Sequence, residues 1–139
     1  MDPKVVVATL TWNQKADVLE CLRTLVKLDY PHYEIAVVDN GSTDGTSEAV
    51  RQEFPGISIV RHSENLGCAE GVNGEIRYAL QAGADYLFII ANDALVEPGT
   101  LSELVRVAER DPKIGIVSPK VYHTGTEKRI WFAGGARFD

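Results

Sequence analysis

The stretch VVVATLTWN, residues 5–13, is a β-branched apolar run that stops at polar side chains. Two further runs have the same form: IAVVDN at residues 35–40 and YLFIIAND at residues 86–93. Continuous apolar runs of this length are typical of parallel strands buried on both faces. Because parallel strands bring their carboxyl ends to one edge, where open α/β sheets bind ligands, we expect the polar groups after the three runs to form one site.

Helical patterns separate these runs. The patterns predict helices over residues 15–28 and 68–82, a short helix after the turn Asn40–Asp44, and a last helix with Pro98 in its first turn. The helix over 68–82 is expected to bury an apolar stripe and to end at Gly83. That stripe comprises Ala69, Val72, Ile76, Ala79 and Leu80. Strands are predicted at Val5–Leu10, Glu34–Val38, Ile57–Arg61 near an edge, Tyr86–Ile90 and Ile114–Val117, with extended pieces near Val121–Tyr122 and Ile130–Phe132.

The order of elements predicts an α/β fold. Strands and helices alternate, which favours a three-layer, mostly parallel sheet with helices on both faces. The length of 139 residues and the 45% hydrophobic composition suit one domain over residues 1–139. Residues 131–135, with sequence WFAGG, are expected to supply core packing and then a turn.

The charge of the chain and its cysteines indicate which partners and which compartment to expect. The formal net charge is −6 without any cluster of basic residues, which argues against nucleic acid. Cys21 and Cys68 do not form a C-x-x-C pair and are expected to be buried or half-buried thiols in a reducing compartment.

No apolar run approaches the roughly 18 residues that span a bilayer. We expect a cytoplasmic protein, with any membrane association through segments outside this chain. The three histidines, His32, His62 and His123, lack ligand spacing and are expected on the surface.

The turn after the first run carries Thr11, Trp12 and Asn13 instead of the glycine-rich fingerprint of a Rossmann site or a P-loop. Trp12 offers a face on which a base could stack, and its neighbours can hydrogen-bond to a nucleotide. Alternatively, Trp12 covers the end of the sheet and Asn13 caps the next helix. The sequence leaves both interpretations open.

The second turn lies in VVDNGSTDGT, residues 37–46. Asp39 offers a carboxylate to a base N–H or a ribose hydroxyl, and Gly41 permits a sharp turn. The same residues make a good turn without any ligand. Because a turn does not need an aspartate at the last position of the strand, we favour a binding role for Asp39.

Two further motifs suggest a phosphate and a cation. Asn65-Leu66-Gly67 precedes a helix that carries Gly71, Asn73 and Gly74, and these glycines fit either a closely approaching phosphate or close packing of the helix on the sheet. Asp93 could bind Mg²⁺ or Mn²⁺ together with diphosphate oxygens and water. A lone aspartate could equally be a turn or cap residue, but its position opposite Asp39 favours the metal.

Taken together, TWN, VVDNGSTDGT, NLGCAEGVNG and FIIANDALVEP resemble family 2 glycosyltransferases, especially rhamnosyltransferase-like ones, over essentially the whole chain. The resemblance implies a GT-A fold and inverting transfer from a dTDP- or UDP-sugar to a saccharide or lipid-linked acceptor, with Mg²⁺ or Mn²⁺. It implies a metal role for Asp93. With the motifs, it predicts a nucleotide-binding set: Thr11, Trp12, Asn13, Asp39, Asn40, Asn65, Gly67, Asn73 and Asn92.

The chain departs from the family pattern in two ways. Ala91 stands at the first position of the metal-binding triplet, where an acid or amide is expected. The catalytic base of such enzymes comes from a later segment, so we expect it beyond Asp139 and expect this chain alone, a truncated GT-A fold, not to turn over. The chain is then the donor-binding half of an enzyme or, alternatively, a non-catalytic nucleotide-sugar-binding or regulatory domain of the same fold.

Two other classes fit poorly. A sugar nucleotidyltransferase needs a glycine-rich loop with basic residues after its first strand, and ATLTWNQ has none. A phospho-acceptor receiver domain needs an acidic pair at the same place.

Overall fold

A computed structural model describes residues 2–125 and 129–134. The described residues contain six strands and four helices. In chain order these are β1 (Val5–Thr11), α1 (Lys15–Leu25), β2 (Tyr33–Asp39), α2 (Thr46–Glu53), β3 (Ser58–Arg61), α3 (Gly67–Gln81), β4 (Tyr86–Ala91), α4 (Thr100–Ala108), β5 (Val121–Tyr122) and β6 (Ile130–Phe132).

The first four strands form one parallel sheet in the order β3-β2-β1-β4. Thr11 of β1 lies opposite Asp39 of β2, which in turn lies opposite Arg61 of β3. On the other side of β1, Leu10 lies opposite Ala91 at the end of β4. The three apolar runs therefore end at one edge of the sheet, as the sequence predicts, and β3 is the short edge strand that was expected.

Helices cover both faces of this sheet. On one face α3 contacts β1, β2 and β4, and Ala79 packs with Val6, Ala8 and Ala36. On the other face α1 contacts β1 and α2, and α2 reaches the side chain of Asp39 through Ser47. Successive side chains of a strand point to opposite faces. The sheet therefore lies between two helical layers, and the three-layer prediction is confirmed.

The face that α3 turns toward the sheet agrees with the predicted apolar stripe at Ala79 and differs from it elsewhere. The buried residues are Gly71, Gly74, Glu75 and Ala79, whereas Ile76 is 40% and Leu80 72% exposed. The glycines account for the difference. A Cβ on Gly71 would lie 2.4 Å from the Leu10 side chain, and one on Gly74 would lie 3.3 Å from Val38 Cγ1. Of the two interpretations of these glycines, the structure supports close packing of the helix on the sheet.

Two predicted details around α4 and α3 have different outcomes. Gly83 follows the C-cap residue Ala82, so the predicted end of α3 is confirmed. Pro98 precedes α4 instead of lying in its first turn, because α4 begins at Thr100 after the N-cap Gly99. The Pro98 carbonyl accepts a hydrogen bond from Asp29 N at 3.1 Å, which ties this residue to the loop after α1.

The chain divides between Pro98 and Gly99 into two compact units, and the prediction of a single domain stays a prediction. In the second unit β5 and β6 pair antiparallel, which confirms the predicted extended pieces. The strand predicted at Ile114–Val117 is wrong. Within the described ranges no strand pairs with it, and Ile116 is 91% exposed. An apolar run becomes a strand only where a neighbour supplies hydrogen-bond partners.

Several side chains lie in other environments than expected. Cys21 is buried but Cys68, in the first turn of α3, is exposed. His62 is half-buried, whereas His32 and His123 are exposed as predicted. Trp131 and Phe132 are exposed, so the predicted core role of this segment is wrong, and Gly135 lies outside the described residues. No helix of the described segments is both long and apolar enough to cross a membrane.

Candidate functional site

The carboxyl edge of the sheet carries a set of buried polar side chains. Asp39 is fully buried, and its neighbour in the register, Thr11, is 1% exposed. Asn92, which follows β4, is 8% exposed and donates hydrogen bonds to Thr11 Oγ1 at 3.1 Å and to Gln14 Oε1 at 2.9 Å. Asn92 therefore joins the end of β4 to the end of β1. The structure brings these predicted residues together.

Internal partners satisfy the buried carboxylate of Asp39. Oδ1 accepts a hydrogen bond from Ser42 N at 2.8 Å, and Oδ2 accepts one from Ser47 Oγ. Arg61 Nε lies 3.9 Å from Oδ2. These contacts explain how an acid can be fully covered, because a buried charge needs hydrogen-bond partners or a counter-ion. A carboxylate has acceptor capacity beyond these contacts, but a base N–H would reach it only after the covering groups move.

The β1–α1 turn is tied to the β2–α2 turn through Asn13. Asn13 N donates to Ser42 Oγ at 2.9 Å, and Asn13 Oδ1 accepts from Thr43 N at 2.8 Å. The N-cap residue of α1 is Gln14, whose side chain makes no capping hydrogen bond, and Asp44 Oδ2 accepts from Lys15 N at 3.2 Å. The interpretation of Asn13 as a helix cap is therefore wrong. Trp12 is 50% exposed, which leaves ring surface open for stacking.

The turn after β2 also holds the loop that leads into α3. Asn40 is 2% exposed and hydrogen-bonds to that loop at Asn65, Leu66 and Gly67. Asn65 Oδ1 in turn accepts from Gly67 N at 2.8 Å. Asn73 lies on the exposed side of α3, where its amide donates to Glu70 Oε2 at 3.2 Å. Asn40, Asn65 and Gly67 thus form one connected group, and Asn73 lies apart from their hydrogen bonds.

Asp93 is exposed at the same edge, two residues after the last residue of β4. Its negative charge acts on the thiol of Cys21, and this thiol donates a hydrogen bond to Ala91 O with an S···O distance of 3.8 Å. Burial, followed by the negative charge of Asp93, raises the pKa of the Cys21 thiol to about 12. Cys21 is therefore a neutral, buried thiol and a poor metal ligand or nucleophile.

The sequence profile described as "Glycosyl transferase family 2" matches residues 6–137. The chain belongs to this family. The resemblance seen in the four motifs is thereby confirmed.

Named relatives agree with this assignment. An N-acetylglucosaminyl-diphospho-decaprenol L-rhamnosyltransferase of Mycobacterium tuberculosis is 34% identical over 95 residues, which are 63% of this chain and 31% of that protein. A poly-beta-1,6-N-acetyl-D-glucosamine synthase of Staphylococcus aureus is 28% identical over 109 residues, which are 77% of this chain and 26% of that protein. The chain spans at most about a third of the length of these relatives.

A solved structure shows the same fold. The mannosyltransferase PcManGT from Pyrobaculum calidifontis, in complex with GDP-Man and Mn²⁺, superimposes with a TM-score of 0.74 and 32% identity. The match covers 83% of this chain and 34% of the mannosyltransferase. The predicted GT-A type of fold is confirmed.

The sequence predicts a divalent cation at this edge, so side chains that can hold one should be present there. Among residues 2–125 and 129–134, no group of three or more His, Cys, Asp or Glu side chains is placed to hold a metal ion. Two residues after the end of β4, the exposed Asp93 offers one carboxylate at the edge of the sheet. Mg²⁺ is commonly bound through one or two carboxylates together with substrate phosphates and waters. The site fits a divalent cation that arrives with a diphosphate ligand.

Sequence reasoning missed four residues of structural importance. Arg61 and Ser47 contact Asp39, and Gln14 contacts Asn92. Arg61 could have been found, because it ends β3 beside Asp39 in a parallel register. Glu75 lies on the buried face of α3, and no described residue supplies a hydrogen-bond partner to either of its carboxylate oxygens. Burial raises the pKa of the Glu75 carboxyl from 4.5 to about 7. No sequence signal marked Glu75.

Proposed function

We propose that this chain binds a nucleotide diphosphate sugar at the carboxyl edge of its sheet and supplies the donor-binding half of an inverting glycosyltransferase. One observation carries the proposal. The strand register places Thr11 beside Asp39, with Asn92 and Asp93 at the same edge, in a chain whose family match covers residues 6–137. Sites at the carboxyl ends of parallel strands are where open α/β sheets bind nucleotides.

Each part of the edge has a role in this proposal. The exposed ring of Trp12 stacks on the base, and Thr11 and Asp39 define the end of the site where base and ribose bind. The loop from Asn65 to Gly67 lies at the start of α3, where backbone N–H groups can meet a phosphate. Asp93 is the carboxylate for Mg²⁺ or Mn²⁺. A cation held there would supply positive charge to offset the negative charge of the departing diphosphate.

The relatives support the chemical class of the substrates. PcManGT is described in complex with GDP-Man and Mn²⁺, which supports a nucleotide sugar and a divalent cation. The Mycobacterium tuberculosis relative is named for a diphospho-decaprenol compound, which supports a lipid-linked acceptor. The motif resemblance favours a dTDP- or UDP-sugar as donor. The acceptor hydroxyl attacks the anomeric carbon directly while the bond from that carbon to the diphosphate breaks, the nucleotide diphosphate leaves, and a base outside the residues placed at this edge removes the proton of the hydroxyl.

Calorimetric titration tests the proposal. UDP-, dTDP- and GDP-sugars are titrated into the chain with and without Mn²⁺. One of them is expected to bind with an affinity that Mn²⁺ raises roughly tenfold or more, equivalent to ~1.4 kcal/mol. Asp93→Ala is expected to reduce the affinity with Mn²⁺ to the value that the unchanged chain shows without it.

Asp85→Asn is the matched control, because Asp85 precedes β4 at the opposite edge and is bonded to Lys4 N. This variant should retain the full effect of Mn²⁺. The proposal is rejected if no nucleotide sugar binds, or if Asp93→Ala retains the response to Mn²⁺.

A further inference from the structure

Asn40 connects the end of β2 to the loop before α3, and its position in the sequence does not reveal this connection. It directly follows β2, and its backbone N–H donates to Thr11 O at 2.9 Å, so the position continues the parallel ladder by one residue. The side chain is 2% exposed. A buried amide needs partners for two donor hydrogens and two acceptor positions, and the identity of these partners determines what Asn40 can do.

All four positions are filled from one neighbouring segment. Nδ2 donates to Asn65 Oδ1 at 2.8 Å and to Gly67 O at 3.1 Å. Oδ1 accepts from Leu66 N at 3.1 Å and from His62 Nδ1 at 3.0 Å. The Asn40 side chain therefore has no hydrogen-bonding capacity left for a nucleotide.

The chemistry of the partners determines the orientation of the amide. Leu66 N can only donate and the Gly67 carbonyl can only accept, so the oxygen and nitrogen of Asn40 cannot be exchanged. It follows that His62 carries its proton on Nδ1, because it faces the amide oxygen. Asn65 is also oriented, since its Oδ1 accepts from both Asn40 Nδ2 and Gly67 N.

The next residue approaches the same segment. Gly41 has φ +79°, and a Cβ there would lie 2.5 Å from the backbone carbon of Glu64. The left-handed conformation and the close backbone approach both require glycine at this position. Residues 40 and 41 together therefore hold the backbone of residues 64–67 against the end of β2.

We propose that Asn40 is a positioning residue: it sets the conformation of the Asn65–Gly67 loop at the start of α3 and does not itself contact the donor. The inference rests on the proposed function for its consequence, which is that the donor meets a pre-formed loop. The sequence predicted that Asn40 contacts the nucleotide. In this proposal Asn40 instead supports the loop that the donor meets. The hydrogen bonds themselves exist in the chain whatever ligand it binds.

Amide hydrogen exchange with nucleotide-sugar titration provides the test. Asn40→Ala removes all four side-chain contacts, so exchange at Leu66 and Gly67 should rise roughly tenfold or more. Exchange at Val6, in the buried centre of the sheet, reports global opening and corrects for lost stability. The affinity for the nucleotide sugar is expected to fall along with protection of the loop.

Two variants at the exposed Asn65 give a graded result even if Asn40→Ala does not fold. Asn65→Ala removes the acceptor of Gly67 N but leaves Leu66 N bonded to Asn40, so exchange should rise at Gly67 alone. Asn65→Asp keeps the accepting Oδ1, so it should retain the protection of both amides despite its added charge.

The outcomes separate this inference from the proposed function. Unchanged exchange at Gly67 in Asn65→Ala, or at both amides in Asn40→Ala, overturns the positioning role. Lost affinity in Asn40→Ala with full protection of the loop also overturns it, because that result indicates direct contact. If no nucleotide sugar binds the unchanged chain, the proposed function fails, whereas the exchange data still decide how Asn40 acts on the loop.

Discussion

Asp39 and Glu75 are both fully buried acids, but their surroundings differ. At the sheet edge, Asp39 has partners on both carboxylate oxygens. On α3, neither oxygen of Glu75 has a partner within residues 2–125 and 129–134. Among the described residues, the other buried side-chain atom without a partner is Thr9 Oγ1. The edge is thus a hydrogen-bonded polar network, whereas Glu75 on α3 is a buried carboxyl group without a hydrogen-bond partner among the described residues.

Burial therefore affects stability in opposite ways for a carboxyl group with hydrogen-bond partners and for one without them. A satisfied buried acid holds its neighbours in place, and its removal leaves their donors unpaired. An unsatisfied one favours its protonated form and costs stability when it ionises. Substitutions at the two sites should therefore change stability in opposite directions.

The largest effect is expected at Glu75. Its pKa is raised from 4.5 to about 7 in the folded chain, so the folded state binds the proton more tightly than the unfolded state does. The stabilising contribution of this proton is full below pH 4.5 and is lost as the pH rises through 7. At pH 8, Glu75→Gln should increase the free energy of unfolding by up to about 3 kcal/mol, and at pH 4.5 it should change it little. Urea unfolding at both values measures the difference.

The exposed residue Glu20, on α1, provides the control for Glu75. Glu20→Gln should change the free energy of unfolding by less than about 0.5 kcal/mol at either pH. A loss of stability in Glu75→Gln at pH 8 would show that the carboxylate has a partner that stabilises its charge.

The second effect, of opposite sign, is expected at Asp39. Asp39→Ala leaves Ser42 N, Ser47 Oγ and the Arg61 guanidinium without this acceptor, so we expect a loss of about 2 kcal/mol in the free energy of unfolding. Asp85→Ala is the matched control, because it also removes an acceptor from a backbone N–H, but in an exposed place where water can replace it. Equal losses in the two variants would contradict the importance of burial at Asp39.

Local patterns were sufficient to predict the scaffold. β-Branched runs predicted β1, β2 and β4, and Gly83 marked the end of α3. The shared edge followed from parallel connectivity alone. These features depend on neighbours in sequence or on a general rule of topology, which is why a single sequence was enough.

Predictions that depended on distant partners were less successful. On the buried face of α3 the prediction was right at Ala79 but wrong at Ile76 and Leu80, because an apolar count favours these two whereas close approach to the sheet favours Gly71 and Gly74. Ile114–Val117 has strand-like residues but no strand beside it in the part of the chain that the structure describes. The partners of Asn40 lie 22 to 27 residues away, and no local pattern shows them.

The smallest effect is expected at Arg61, which tests how much Asp39 depends on this charged neighbour. The Arg61 side chain is 40% exposed and also bonds to Glu48 at 3.0 Å and to Ser42 O at 2.9 Å. Water and salt weaken such exposed ion pairs, so Arg61→Met should cost at most about 1 kcal/mol in the free energy of unfolding. The loss should shrink in high salt, and Arg106→Met, which breaks the exposed pair with Glu103, should behave alike. A loss as large as that of Asp39→Ala would mean that the buried carboxylate relies on the guanidinium more than on Ser42 and Ser47.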